Sequence, residues 1–159
     1  MMSTRPSFTA MSAVLAILTL SAPATAQTCP SFASPGAALT HSAQSLTDAQ
    51  RVSVVAGGSV DLSACDSVPG VGHVIRTPDF TLQYDGQGLG NTLDLRVEAS
   101  CDTVLLVNDA YRDWHFNDDA GSSNPGLSMT NAPNGQYDIW VGTFGLASCD
   151  AVLVLHSRP

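Results

Sequence analysis

From Arg51 to the C-terminus, apolar residues recur at every second position in short runs, and each run is closed by turn-forming residues. Val52 and Val54 alternate, Gly57-Gly58 interrupts, and Val60, Leu62 and Ala64 alternate with Ser59, Asp61 and Ser63. Phe80, Leu82 and Tyr84 follow, and after the loop DGQGLGN come Leu93, Leu95 and Val97. A two-residue period puts one set of side chains on one face, so each run reads as a strand with one buried side. Val52–Ala64 reads as a hairpin with one buried face, and the Phe80/Leu93 pair as half-buried and antiparallel. Thr103–Val107 is apolar on nearly every position, which suggests a central strand covered on both faces.

Trp114 and Phe116 share one face of the next segment, opposite Asp113, His115 and Asn117. Leu127 and Met129 mark a weaker strand, Asn134-Gly135 a turn, and Tyr137, Ile139 and Val141 another strand, with Ala151–Leu155 last. No helical stripe interrupts this series. About nine short strands with turn signals every ~8 to 12 residues predict an all-β antiparallel sandwich of jelly-roll-like form over 51–159. Residues 27–50, rich in Ala, Ser, Thr, Gly and Pro without a sustained period, read as an irregular lead-in.

The first residues belong to a different class. Arg5, the apolar run Met11–Leu20 and the small-x-small site Ala24-Thr25-Ala26 form a secretory signal over 1–26. That run is shorter than the ~20 residues a membrane-spanning helix needs, and no later segment is long and apolar enough, so membrane insertion is not expected. The chain is placed in the periplasm or outside the cell. Its four cysteines, Cys29, Cys65, Cys101 and Cys149, then suit two disulfides, for which three pairings exist. Cys101 and Cys149 each open a similar run, CDTVLLV and CDAVLVL, so a bond between them would tie neighbouring strands at one end. Cys29 with Cys65 follows by elimination and anchors the lead-in. The cysteines lack the close spacing of zinc sites.

Charge narrows the partners. The formal net charge is −8, with 14 acidic residues against six arginines and no lysine. Nucleic acid and anionic membrane surfaces both demand basic side chains, so neither is expected. A cation or a neutral polar ligand fits better, carried by an extracellular polysaccharide or protein.

Three groups of residues bear on function. Asn108, Asp109, Asp113, Asn117, Asp118 and Asp119 crowd one loop, and calcium takes about six to eight oxygen ligands, so calcium is the candidate cofactor. The same residues are also turn formers that bond their own backbone. Tyr111, Trp114 and Trp140 are candidate ligand-facing aromatics. Trp140 lies on the face opposite Tyr137, Ile139 and Val141, and is expected at the surface. Exposed rings rimmed by Asp and Asn can stack on sugars. Catalysis lacks a signature: His41, His73, His115 and His156 are present, yet no nucleophile elbow appears. His73 near Asp79 is the least implausible base pair, and the lone glutamate Glu98 argues against paired glycosidase carboxylates. The chain is therefore expected to bind rather than catalyse, with a small secreted hydrolase as the alternative.

The order of parts from Leu93 to Leu155 resembles the bacterial pre-peptidase C-terminal domain. Its pattern is a strand of the type D-x-x-L-x-(L/V), an acidic turn, and G-x-Y-x-(I/V)-x-V. Asp102-Leu105-Val107, Asp118-Asp119-Gly121 and Gly135-Tyr137-Ile139-Val141 fill these places. The resemblance implies a jelly-roll-like accessory domain of exported proteases and other enzymes, some relatives of which bind calcium and extracellular polymers. Two features depart from it: no protease accompanies the domain in this sequence, and the general pattern does not require the cysteines.

Overall fold

A computed structural model describes residues 29–159. The signal assigned to residues 1–26 lies outside the described residues. Eleven strands carry the fold: β1 (Ala37–Ser42), β2 (Gln50–Ala56), β3 (Val60–Asp61), β4 (His73–Val74), β5 (Phe80–Asp85), β6 (Thr92–Ala99), β7 (Thr103–Asn108), β8 (Trp114–Asn117), β9 (Gly126–Met129), β10 (Gly135–Thr143) and β11 (Cys149–Arg158). A 3-10 turn at Leu62–Ala64 is present, and there is no α-helix among the described residues. No helix there is long and apolar enough to cross a membrane.

The strands form two sheets. The smaller runs β2-β11-β6-β9. The larger is built on β10, whose one edge pairs with β7, and β7 with β8. Its other edge is shared: Gly135–Ile139 pairs with β5, and Thr143 pairs with His73 of β4. β1 extends the sheet beyond β5, and β3 extends it beyond β4.

Alternation sets the main core. Leu82, Leu105, Val107, Tyr137, Ile139 and Val141 of the larger sheet pack against Leu93, Leu95, Val97, Leu153 and Leu155 of the smaller. The all-β class and the sandwich-like arrangement follow from this two-sheet packing. β7 is buried at every position, as its continuous apolar run predicts. Both disulfides join the expected partners, Cys29 to Cys65 and Cys101 to Cys149.

Several sequence expectations are corrected. Residues 27–50 are not irregular throughout, because Ala37–Ser42 forms β1, which runs parallel to β5. Its main chain takes the ladder hydrogen bonds while only Leu39 joins the core, so no alternating pattern was needed. Val52–Ala64 is not a hairpin, since β2 and β3 lie in different sheets. Glycine is required at that crossing: a Cβ on Gly58 would stand 2.0 Å from the carbonyl carbon of Val74. β5 and β6 likewise belong to different sheets and do not pair. The Cys101–Cys149 bond joins the β6–β7 connection to β11 rather than two neighbouring strands.

A second core explains the largest correction. Leu62, Cys65 and Val68, from the segment between β3 and β4, pack on the outer face of the larger sheet with Val60, Val74, Val104, Leu106 and Trp140 of that sheet. Trp140 is therefore 0% exposed, not at the surface. Cys29, held to Cys65, brings the segment beside Phe32 onto this cover.

Candidate functional site: the cleft beside the β7–β8 turn

Asp109 follows β7 and organises the turn to β8. Its Oδ1 accepts the amides of Tyr111 at 2.8 Å and Asp113 at 3.0 Å, the habit of a carboxylate that caps its own turn. Its Oδ2 meets His115 Nε2 at 2.7 Å. Burial pushes the Asp109 carboxyl up, but the hydrogen bond from His115, the two amides and the histidine's charge outweigh it and hold the group below the usual carboxylate range. The turn is closed by the Arg112 amide on Asp109 O and by the Asp109 amide on Asp113 O, both at 2.9 Å.

This turn leaves Tyr111 standing out, 72% exposed. Across from it runs the β9–β10 connection, fixed by the Ala132 amide on Asn91 O at 3.1 Å and by Tyr137 Oη donating to Pro133 O at 2.8 Å. Burial raises the pKa of the Tyr137 phenol, so the hydroxyl keeps its proton and the bond to Pro133. Between the two connections lies a cleft of about 280 Å³, with Tyr111 and His115 on one side, Thr130, Asn131 and Pro133 on the other, and the buried Tyr137 at its base. Asn131 adopts φ 50°, a left-handed value that asparagine tolerates better than most residues.

Two other depressions are larger. One of about 510 Å³ crosses the outer face of the smaller sheet and is lined by Ser53, Val55, Glu98, Asp150 and Val152, without an aromatic ring. Glu98 there is bound to Arg51. Another, about 460 Å³, lies along β1 and β5 beside Thr40, His41 and Gln83.

The six residues read as a calcium loop do not converge. Asp109 is engaged by His115 and the turn amides, Asn108 Nδ2 donates to Arg112 O at 3.0 Å, and Asn117 Oδ1 accepts the Gly126 amide at 3.0 Å. Asp113 and Asp119 are exposed and Asp118 is half-buried. Among the described residues no three His, Cys, Asp or Glu side chains are placed to hold a metal ion. Turn formation, the other property of these residue types, is what most of them do.

Of the three aromatics, Tyr111 alone reaches the cleft. Trp114 and Trp140 stack on each other with centroids 5.3 Å apart, inside the second core. His73 and Asp79 do not pair: Asp79 Oδ2 accepts the Val141 amide at 2.8 Å, and His73 Nδ1 is buried without a partner among the described residues. The histidine–carboxylate pair that does form, His115 with Asp109, was missed because its members are six residues apart across a turn. The signal lay in the alternation, which puts His115 on the face opposite Trp114. Among the described residues no serine is joined to this pair: Ser128, which also borders the cleft, donates to Asp94 instead.

Chemically, the cleft offers an exposed ring for stacking, with imidazole, hydroxyl and amide groups around it. Compared with known proteins, the chain matches no family model, no curated protein and no solved structure, so the resemblance to the pre-peptidase C-terminal domain rests on its residue pattern.

Proposed function

We propose that this chain is an exported, non-catalytic binding domain that holds a neutral extracellular polysaccharide at the cleft beside Tyr111. The exposed Tyr111 ring carries the reading. The backbone under this ring is fixed by the Asp109 carboxylate, so only the two side-chain torsions of Tyr111 lose freedom when a sugar face stacks on it. His115, Thr130 and Asn131, which line the same cleft, supply groups able to hydrogen-bond sugar hydroxyls. The cleft volume, about 280 Å³, is at the lower end of small-molecule sites and suits one ring of a chain rather than a whole enclosed ligand. Export agrees with the leader and with two disulfides, which persist in oxidising compartments.

The test is native affinity electrophoresis in gels containing neutral polysaccharides. The protein is retarded by at least one of them, and Tyr111→Ala weakens that retardation about tenfold while stability stays within about 0.5 kcal/mol. Equal retardation of wild type and Tyr111→Ala would remove the ring from the site. Hydrolysis of the same polymers, lost on His115→Ala, would replace the proposal with the hydrolase alternative, for which the His115–Asp109 pair is the motivating geometry.

A further inference from the structure

Asp138 lies midway along β10, on the face of the larger sheet turned away from the main core, with a side chain that is 0% exposed. Thr81 Oγ1 donates to its Oδ1 at 2.7 Å, and Gln136 Nε2 and Arg112 Nη1 donate to its Oδ2 at 2.8 and 3.2 Å. Only one of these partners carries charge. A carboxylate removed from water demands a facing cation, and leaving it alone is strongly unfavourable. Arg112 fills that role incompletely. Its side chain stays 50% exposed, and one nitrogen alone reaches the carboxylate, where a guanidinium is built to present two. Its backbone is held at φ 70°, a left-handed value that favours glycine.

The surroundings are made for a planar cation. The Arg112 guanidinium carbon lies 4.9 Å from the Phe32 ring centroid, and Phe32 stacks on Trp114 at 6.0 Å. Asn108 stands directly opposite Asp138 in the β7–β10 register, so their side chains share a face. Asn108 is fully buried, its Nδ2 is engaged by Arg112 O, and its Oδ1 is buried without a partner among the described residues. On the face that carries the carboxylate there is thus an acceptor, Asn108 Oδ1, that Arg112 does not use.

We infer that Asp138, Asn108 and the Phe32 ring form a guanidinium seat that docks an arginine side chain of a partner protein, with Arg112 as the resident group it displaces. Guanidinium fits better than ammonium because its flat fork matches a carboxylate and its plane stacks on an aromatic ring. The net charge of −8 steers basic partners toward the domain. This seat is separate from the Tyr111 cleft and stands or falls without it.

The chain has two tryptophans, Trp114 and Trp140, and both belong to the stack beside the seat, so tryptophan emission reports occupancy. The protein is titrated with ethylguanidinium and with a short acetylated arginine peptide, with ethylammonium as the control. Arg112→Ala saturates at a concentration about tenfold lower than wild type, because the resident group no longer competes. Ethylammonium binds more weakly, and Arg112→Ala combined with Asp138→Asn gives no saturable signal. Equal midpoints for wild type and Arg112→Ala, or binding that survives Asp138→Asn, would overturn the inference. A second measurement needs no variant: the Nε–H resonance of Arg112 in the wild-type protein shifts as the peptide displaces it, and a resonance unmoved at high peptide concentration overturns the inference too.

Discussion

Asp79 makes stability depend on pH in a direction opposite to that of most carboxylates. It stands where β10 changes neighbours, between Ile139, which pairs with β5, and Thr143, which pairs with β4. Its own amide donates to Ile139 O at 2.9 Å, and its Oδ2 takes the Val141 amide at 2.8 Å, the place a ladder carbonyl would otherwise fill. Burial pushes the carboxyl up to about 6, against the pull of the Val141 amide. In the unfolded chain it titrates near ~3.9. Between those values the folded protein holds a proton that the unfolded chain has released. The stabilisation is thus present in full below pH ~4 and is lost as pH rises through about 6.

A difference of about two units corresponds to about 3 kcal/mol, of which about 2 kcal/mol falls between pH 4.5 and 7.5. For a domain of this size that is about 6 to 8 °C in Tm. Asp79→Asn keeps an oxygen for the Val141 amide and cannot ionise. Urea melts at constant ionic strength should show wild type losing about 2 kcal/mol across this window, Asp79→Asn losing little, and the variant more stable than wild type at pH 7.5. Asp61, Asp94, Glu98 and Asp109 are held below their ordinary range, so their contributions persist across this window and are lost only as pH falls below it. A wild-type slope retained in Asp79→Asn would refute the assignment.

Gly142→Ala should destabilise by about 2 kcal/mol or more in the same melts, because the added Cβ would stand 2.4 Å from the backbone carbonyl of His73, which is not free to yield. Calcium at about 10⁻³ M should raise Tm no more than sodium chloride of equal ionic strength, since Asp109 and Asn117 are already engaged. A calcium-specific gain removed by Asp118→Asn with Asp119→Asn would place a cation on that turn.

The sequence reveals which face each strand buries but not which strand it joins. The alternations at Phe80–Tyr84, Leu93–Val97 and Tyr137–Val141 all point into the main core as read. Partnership failed because pairing neighbours in sequence is only a tendency, and here the chain crosses between sheets from β1 to β2, β2 to β3, β5 to β6, β6 to β7, β8 to β9, β9 to β10 and β10 to β11. Asn134-Gly135, a hairpin signal by type, instead serves such a crossing, with Asn134 Oδ1 accepting the Gly86 amide at 2.7 Å. β1 was illegible for another reason. A parallel edge strand with one core side chain carries no periodic signature, and its partner, β5, is supplied by residues about 40 positions later.

Trp140 shows how the site could have been read better from the same letters. Its exposure was deduced from its own strand, where the opposite set is plainly core. The neighbouring strand contradicted that deduction, because Thr103–Val107 is apolar on both faces and a sheet covered on both faces at one strand is covered at the next. In the structure Leu106 stands directly opposite Trp140, and both pack with Leu62, Cys65 and Val68 of the segment between β3 and β4. Once the outer face is apolar at that row, the row beside it, Asn108 with Asp138, becomes a polar pair at the margin of a second core. A carboxylate in that position demands a cation, and Arg112, on the turn just beyond Asn108, is within reach of it. The Tyr111 ring and the Arg112 seat therefore come from one physical cause. The same tight turn at Asp109 that throws the tyrosine into solvent turns the next residue back over the sheet.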